Sequence, residues 1–204
     1  MANEQAHPSA VILLHEIYGL NGHMRYYEKR FSEMGLHVFC PDLLNREQSF
    51  SYSEEKQAYR HFTQNVGFEK AAQQVSELID ELSKHHERIY LIGFSAGATI
   101  AWLCSVKQEV TGIVGYYGSR IRDYLEISPA CPALLFFAEH EPSSSTASLS
   151  EQLSKRNIET IVFEAGHGYS DPYSKGYDEE KSTDSFRRAA RFLNMHEKNT
   201  SMDR

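Results

Sequence analysis

The chain has 204 residues, 41% of them hydrophobic, and its 21 Lys and Arg against 28 Asp and Glu give a formal charge of −7. That length suits a single domain, residues 1–204, with a sizeable core, and an acidic chain without a Lys/Arg block excludes a nucleic-acid footprint. No segment reaches the ~18 apolar residues of a membrane span, and the opening residues lack the basic and apolar regions of a secretory leader, so the expected location is cytoplasmic.

Short apolar runs and helical patterns then take turns. Residues 10–15, AVILLH, read as a buried strand. Residues 23–35 have helical spacing and end on Gly35, a capping residue. A second strand over 36–42 is stopped by Pro41. Helices are expected over 53–66 and 68–86, a strand over 88–94, a helix over 96–107 and strands over 110–118 and 131–141. A serine-rich loop leads to a helix over 147–157, a last strand over 158–164 and a closing helix over 184–198, with 198–204 as a frayed tail. Strands that are continuously apolar, separated by helices, imply a mostly parallel central sheet with helices on both faces, three layers in all.

Three cysteines, Cys40, Cys104 and Cys131, sit in or beside apolar runs. An odd number without CxxC spacing argues against disulfides and zinc, and the adjacent His85 and His86 read as a polar helix end. No metal and no cofactor are expected.

The stretch Gly93-Phe94-Ser95-Ala96-Gly97 follows one apolar strand directly and opens a helix. This is the setting of a nucleophile elbow, in which a sharp turn lifts the serine over the sheet and flanking glycines leave room for the backbone. The blander reading is a helix-capping serine between packing glycines. As a nucleophile, Ser95 needs a base, an orienting acid and oxyanion donors. The N–H of Ala96, at a helix N-terminus, is one such donor. Ile17 and Glu16, in the loop after the first strand, are candidates for the second.

Along the chain the order in this arrangement is serine, acid, histidine. His140 and His196 read as surface residues, whereas His167 lies between two glycines directly after the last strand, where a loop can set an imidazole deep in a site. His167 is therefore the expected general base. The acid is open between Glu141 and Glu139, at the end of the preceding strand, with Asp171 fitting the order poorly.

The segments VILLHEIYGLNGH (11–23), with its HE-(I/F)-(Y/F)-G-L loop, PDL (41–43), YLIGFSAGA (90–98), YYG (116–118), ALLFFAEHEP (133–142) and AGHGYSDP (165–172) together resemble the dienelactone hydrolase family of α/β-hydrolases over nearly the whole chain. The resemblance implies an α/β-hydrolase fold and a carboxylic ester hydrolase. It implies Ser95 as nucleophile, His167 as base and Glu141 as acid. It also implies Ala96 and Ile17 as oxyanion donors, Glu16 as a carboxylate beside the resting nucleophile, and Tyr18 and Tyr116 near the pocket mouth. Two positions differ from the family pattern: Ser95 stands where the namesake enzymes carry cysteine, and Glu141 where aspartate is usual. A serine has no accessible thiolate and depends fully on its base.

The expected function is a serine hydrolase of small carboxylic esters or lactones acting through an acyl-enzyme. Arg25, Arg120 and Arg122 are candidates to meet a substrate carboxylate. The alternatives are a ligand-binding scaffold with little turnover, since fold alone does not confer function, and a hydrolase of thioester or peptide bonds.

Overall fold

Apolar runs without alternation have no polar face to turn to water, so strands built from them are covered on both sides. The computed structural model, which describes residues 8–141 and 146–199, meets that demand with one six-stranded sheet. Strands β1 (Ser9–Leu14), β2 (His37–Phe39), β3 (Arg88–Phe94), β4 (Val110–Tyr116), β5 (Ala133–His140) and β6 (Glu159–Gly166) lie in the order β2-β1-β3-β4-β5-β6. Every neighbouring pair is parallel. The chain steps outward from β1 to β2 and then returns across β1 to β3. At such a reversal the loops beyond the strand ends diverge and leave a crevice.

Successive residues of a strand face opposite sides. In β1, Ala10, Ile12 and Leu14 join one buried cluster, and Val11 and Leu13 join the other. The first cluster is covered by α3 (Phe68–Leu82), α4 (Ala96–Cys104) and α5 (Thr146–Ser154). The second is covered by α1 (Gly22–Ser32) and α6 (Glu179–Asn199). Helix α3 buries Ala71, Val75, Ile79 and Leu82, one stripe at helical spacing. Helix α1 buries Met24, Tyr27 and Phe31 behind an Asn21 cap, whose side chain accepts the Met24 N–H. Each fully buried side chain of this size contributes about 1.5–3 kcal/mol.

Several elements depart from the sequence expectation. The helix expected over 53–66 is three pieces: a 3-10 turn Tyr52–Glu54, helix α2 (Glu55–His61) and a π turn Phe62–Val66. The π turn closes where the Gly67 N–H donates to the Phe62 carbonyl at 2.7 Å, and Gly67 leaves with φ +75°. The widened turn brings the Phe62 and Phe68 rings to 5.0 Å of each other. A 3-10 turn over Ser119–Tyr124, absent from the sequence reading, follows β4. Helix α6 starts five residues earlier than expected, because Asp178 caps it by accepting the Lys181 N–H. The expected strand over 36–42 is reduced to three residues. Most of the expected frayed tail and the side chain of His196 lie outside the described residues.

Candidate active site

Ser95 sits between the end of β3 and the first residue of α4 with φ +51° and ψ −111°, a conformation L-residues rarely adopt. The glycines on either side explain how the chain tolerates the turn. A Cβ on Gly93 would lie 2.1 Å from the Gly97 carbonyl oxygen, and one on Gly97 would lie 2.0 Å from the Leu14 carbonyl oxygen. Helix α4 therefore rests backbone to backbone on β1. The Ser95 N–H donates to the Tyr116 carbonyl at 2.8 Å, which ties the turn to the end of β4.

The loops after β5 and β6 bring two further side chains to this point. His167 Nε2 is 2.9 Å from Ser95 Oγ. Its Nδ1 is 2.8 and 3.0 Å from the two oxygens of Glu141. The Glu141 side chain is only 4% exposed and that of His167 is 35% exposed, so the pair is shielded on one side and open to a cavity on the other. Burial disfavours the imidazolium, but the hydrogen bond and charge of Glu141, with the charges of Glu16 and Glu55, outweigh it and raise His167 above its ordinary pKa. Of the other acid candidates, Glu139 is exposed, and Asp171 is buried and turned toward His23.

Two cavities meet at Ser95 and His167. The larger, about 410 Å³, is lined by Ile17, Phe62, Phe68 and Ala96, with Arg120 and Arg122 from the 3-10 turn. Asp123 engages both arginines, at 2.5 Å from Arg120 Nε and 3.6 Å from Arg122 Nε. The smaller, about 250 Å³, is lined by Glu16, Tyr18, Tyr52 and Asp171. Arg25 is exposed on α1, outside both. The Ala96 N–H, at the first position of α4, has no intrahelical acceptor. Burial works against ionisation of Glu16, yet the neighbouring His23, His167 and Tyr117 hold its carboxyl below the usual range. Burial, then the charges of Glu55, Glu16 and Asp171, push the Tyr18 hydroxyl up to about 12, so it remains protonated.

Tyr116 does not lie at the pocket mouth. It pairs in register with Phe94, stacks on that ring at 4.7 Å and is wholly buried on the α1 side of the sheet. The next residue, Tyr117, is the one that approaches the site, with its ring 4.8 Å from that of His167. Sequence reasoning also missed His15. This buried imidazole has Nδ1 2.6 Å from the Glu16 carbonyl and accepts the Leu43 N–H on Nε2 at 3.0 Å. It thereby fixes the loop carrying Glu16 and Ile17. Burial lowers its pKa, so it is neutral, with the proton on Nδ1.

A parallel sheet wrapped on both faces, with a crevice at its reversal and a strained serine at a strand-to-helix turn, defines an α/β hydrolase. Residues 1–197 match the model of the dienelactone hydrolase family, and the chain belongs to that family. It is 43% identical over 167 residues to the uncharacterized protein YczH of Bacillus subtilis, covering 80% of this chain and 82% of that one. It is 25% identical over 182 residues to carboxymethylenebutenolidase of Pseudomonas putida, covering 82% of this chain and 77% of that enzyme. Among solved structures, a dienelactone hydrolase-like promiscuous phosphotriesterase from metagenomic libraries shares the fold. Its TM-score is 0.70 at 18% identity, with 92% of this chain and 86% of that one covered. The chain is an enzyme of the carboxylic ester hydrolase class.

Proposed function

We propose that the protein is a serine hydrolase of small carboxylic esters or lactones, working through an acyl-enzyme on Ser95, His167 and Glu141. The observation that carries this reading is the unbroken relay from Ser95 Oγ to His167 Nε2 at 2.9 Å and from His167 Nδ1 to Glu141 at 2.8 Å. Glu141 holds the proton on Nδ1, which leaves Nε2 free to accept. As Ser95 Oγ attacks the ester carbonyl, its proton passes to Nε2 and the carbonyl π bond becomes an oxyanion. The N–H groups of Ala96 and Ile17 stabilise that oxyanion. The tetrahedral adduct collapses, the bond to the alkoxy oxygen breaks, and Nε2–H protonates the departing alcohol. For a lactone the alcohol stays tethered to the acyl group. Water then enters, loses a proton to Nε2 and attacks the acyl-enzyme, and the returning proton restores Ser95.

The cavity dimensions favour small substrates. A volume of about 410 Å³ lies near the lower end of ligand pockets, roughly 300–1,000 Å³. The aromatic wall of Phe62 and Phe68 suits a short apolar or unsaturated acyl group. Glu16 and Tyr18 line the smaller cavity, which also reaches Ser95 and His167 and would give water and the leaving alcohol a path.

The test is hydrolysis of p-nitrophenyl acetate and butyrate by wild type and Ser95→Ala, with fluorophosphonate labelling of both. Turnover and labelling that vanish together in Ser95→Ala support the proposal. Equal turnover in a folded Ser95→Ala would mean that the serine turn is structural.

A further inference from the structure

Glu16, His23 and Asp171 come from three separate segments: the loop after β1, the first turn of α1 and the loop after β6. All three are buried, at 6%, 0% and 1% exposure. One ligand-type atom from each lies within 4.8 Å of the others. His23 Nδ1 stands 3.8 Å from Glu16 Oε2 and 3.8 Å from Asp171 Oδ2. These distances are too long for hydrogen bonds. Among the described residues neither nitrogen of His23 has a hydrogen-bond partner. A wholly buried imidazole without partners calls for an explanation.

An imidazole and a carboxylate that need only each other close up, as His167 and Glu141 do at 2.8 Å. Here His23 Nδ1 instead stands 3.8 Å from a carboxylate oxygen on each of two residues. Among the described residues neither Glu16 nor Asp171 forms an ion pair with a lysine or arginine. Among the described residues, the one base within 4 Å of both buried carboxylates is thus His23. We infer that Glu16, His23 and Asp171 form a site for one divalent transition-metal ion of the zinc or manganese kind.

The geometry is close to what such an ion requires. Ligand bonds of about 2.0–2.2 Å place ligand atoms roughly 3.4–3.6 Å apart at tetrahedral to trigonal angles, so the two 3.8 Å separations from His23 need a small contraction, while the separation of the carboxylates lies within 4.8 Å. A mixed nitrogen and oxygen set suits zinc and manganese, whereas calcium takes six to eight oxygens. Neighbouring groups also hold two of the ligands. The His23 ring is held edge-on between Tyr27 at 5.2 Å and Phe94 at 4.5 Å. Asp171 accepts the Tyr173 N–H at 2.9 Å on one oxygen and the Tyr52 hydroxyl on the other. Such outer partners are what hold metal ligands in position. Glu16 and Asp171 line the smaller cavity, so an open coordination position would face it. The ion would tie the loop that carries His167 to the loop that carries Ile17.

The experiment is a titration of full-length protein, stripped with EDTA and dialysed. Zn²⁺ and Mn²⁺ are followed by calorimetry, Co²⁺ by visible absorption, and melting is recorded with and without each ion. The expected result is one equivalent of Zn²⁺ per chain, with a melting temperature raised by about 3 °C or more in excess metal. Asp171→Asn and His23→Gln should each weaken binding at least about tenfold, since losing even an outer partner of a ligand costs that much, while Ser95→Ala should leave it unchanged. Wild type that binds none of the three ions, or binding retained within about tenfold in a folded Asp171→Asn, would overturn the site. If His23→Gln does not fold, Glu16→Gln replaces it under the same criterion, and the wild-type titration stands by itself.

Discussion

Replacing Glu141 by glutamine should produce two changes that a merely structural glutamate would not produce together. The carboxylate is 4% exposed and meets His167 Nδ1 with both oxygens, so solvent screens little of its charge. Glutamine keeps the shape, removes the charge and can donate as well as accept, which lets the imidazole adopt the wrong tautomer. Loss of the orienting acid at such a site costs about 10²–10⁴ in rate, or roughly 3–5 kcal/mol of barrier. The second change is in pH dependence. Activity requires neutral His167, so the rate rises as pH climbs through its pKa. Burial lowers that pKa and Glu141 is the main group raising it, so wild type should show its limb above the ordinary value of 6.5 and Glu141→Gln should move the limb down. The assay is kcat/KM for p-nitrophenyl butyrate across roughly pH 5 to 9, a range that brackets the reference histidine pKa of about 6.5. A Glu141→Gln enzyme within about threefold of wild type, or a limb that moves upward, would refute the assignment.

Glu139 is exposed, so Glu139→Gln should change kcat/KM by less than about twofold, and a loss rivalling that of Glu141→Gln would exchange the two roles. The φ of +51° at Ser95 is open to glycine without strain, so Ser95→Gly should exceed Ser95→Ala in stability by about 1 kcal/mol, measured by urea unfolding. The Tyr116 hydroxyl is buried and, among the described residues, has no hydrogen-bond partner. Tyr116→Phe should therefore be neutral or more stable by up to about 1 kcal/mol, with unchanged turnover; a large rate loss would return Tyr116 to the site. Gly97→Ala would press a methyl against the Leu14 carbonyl and should lower stability by about 3 kcal/mol or more, visible as a collapsed melting temperature or loss of soluble protein.

The sheet was legible because its strands are continuous apolar runs bounded by helical patterns, and β3 falls on the expected residues 88–94. Ser95, His167 and Glu141 were legible as candidates because each follows the end of a recognisable strand, where a parallel sheet presents its loops. Position along a strand end does not say which face a side chain takes, and Tyr116 was misjudged for that reason: its register partner Phe94 puts it on the α1 side, leaving Tyr117 to approach His167. The early start of α6 had a readable signal, Asp178 followed by Glu179 and Glu180 in the first turn. The π turn at Phe62–Val66 had none, since a pattern of helical spacing does not reveal one inserted residue. The grouping of Glu16, His23 and Asp171 was also hidden, because Asp171 lies far along the chain and only the fold returns it to the start of α1.

The contact between Gly97 and the Leu14 carbonyl acts as a spacer gauge. Ala96 precedes that glycine by one residue, and Ile17 follows that leucine by three. The gap between the two candidate oxyanion donors is thus set where two main chains touch, with no side-chain rotamer in between. A gauge of this kind does not loosen as rotamers sample other wells on warming. It also confines variation, since the surrounding loops can be rebuilt for new acyl or alcohol groups while the gauge keeps its dimension. A methyl added at Gly97 would then alter the electrostatics of the oxyanion as well as the packing, through a displacement that leaves all three residues of the relay chemically intact.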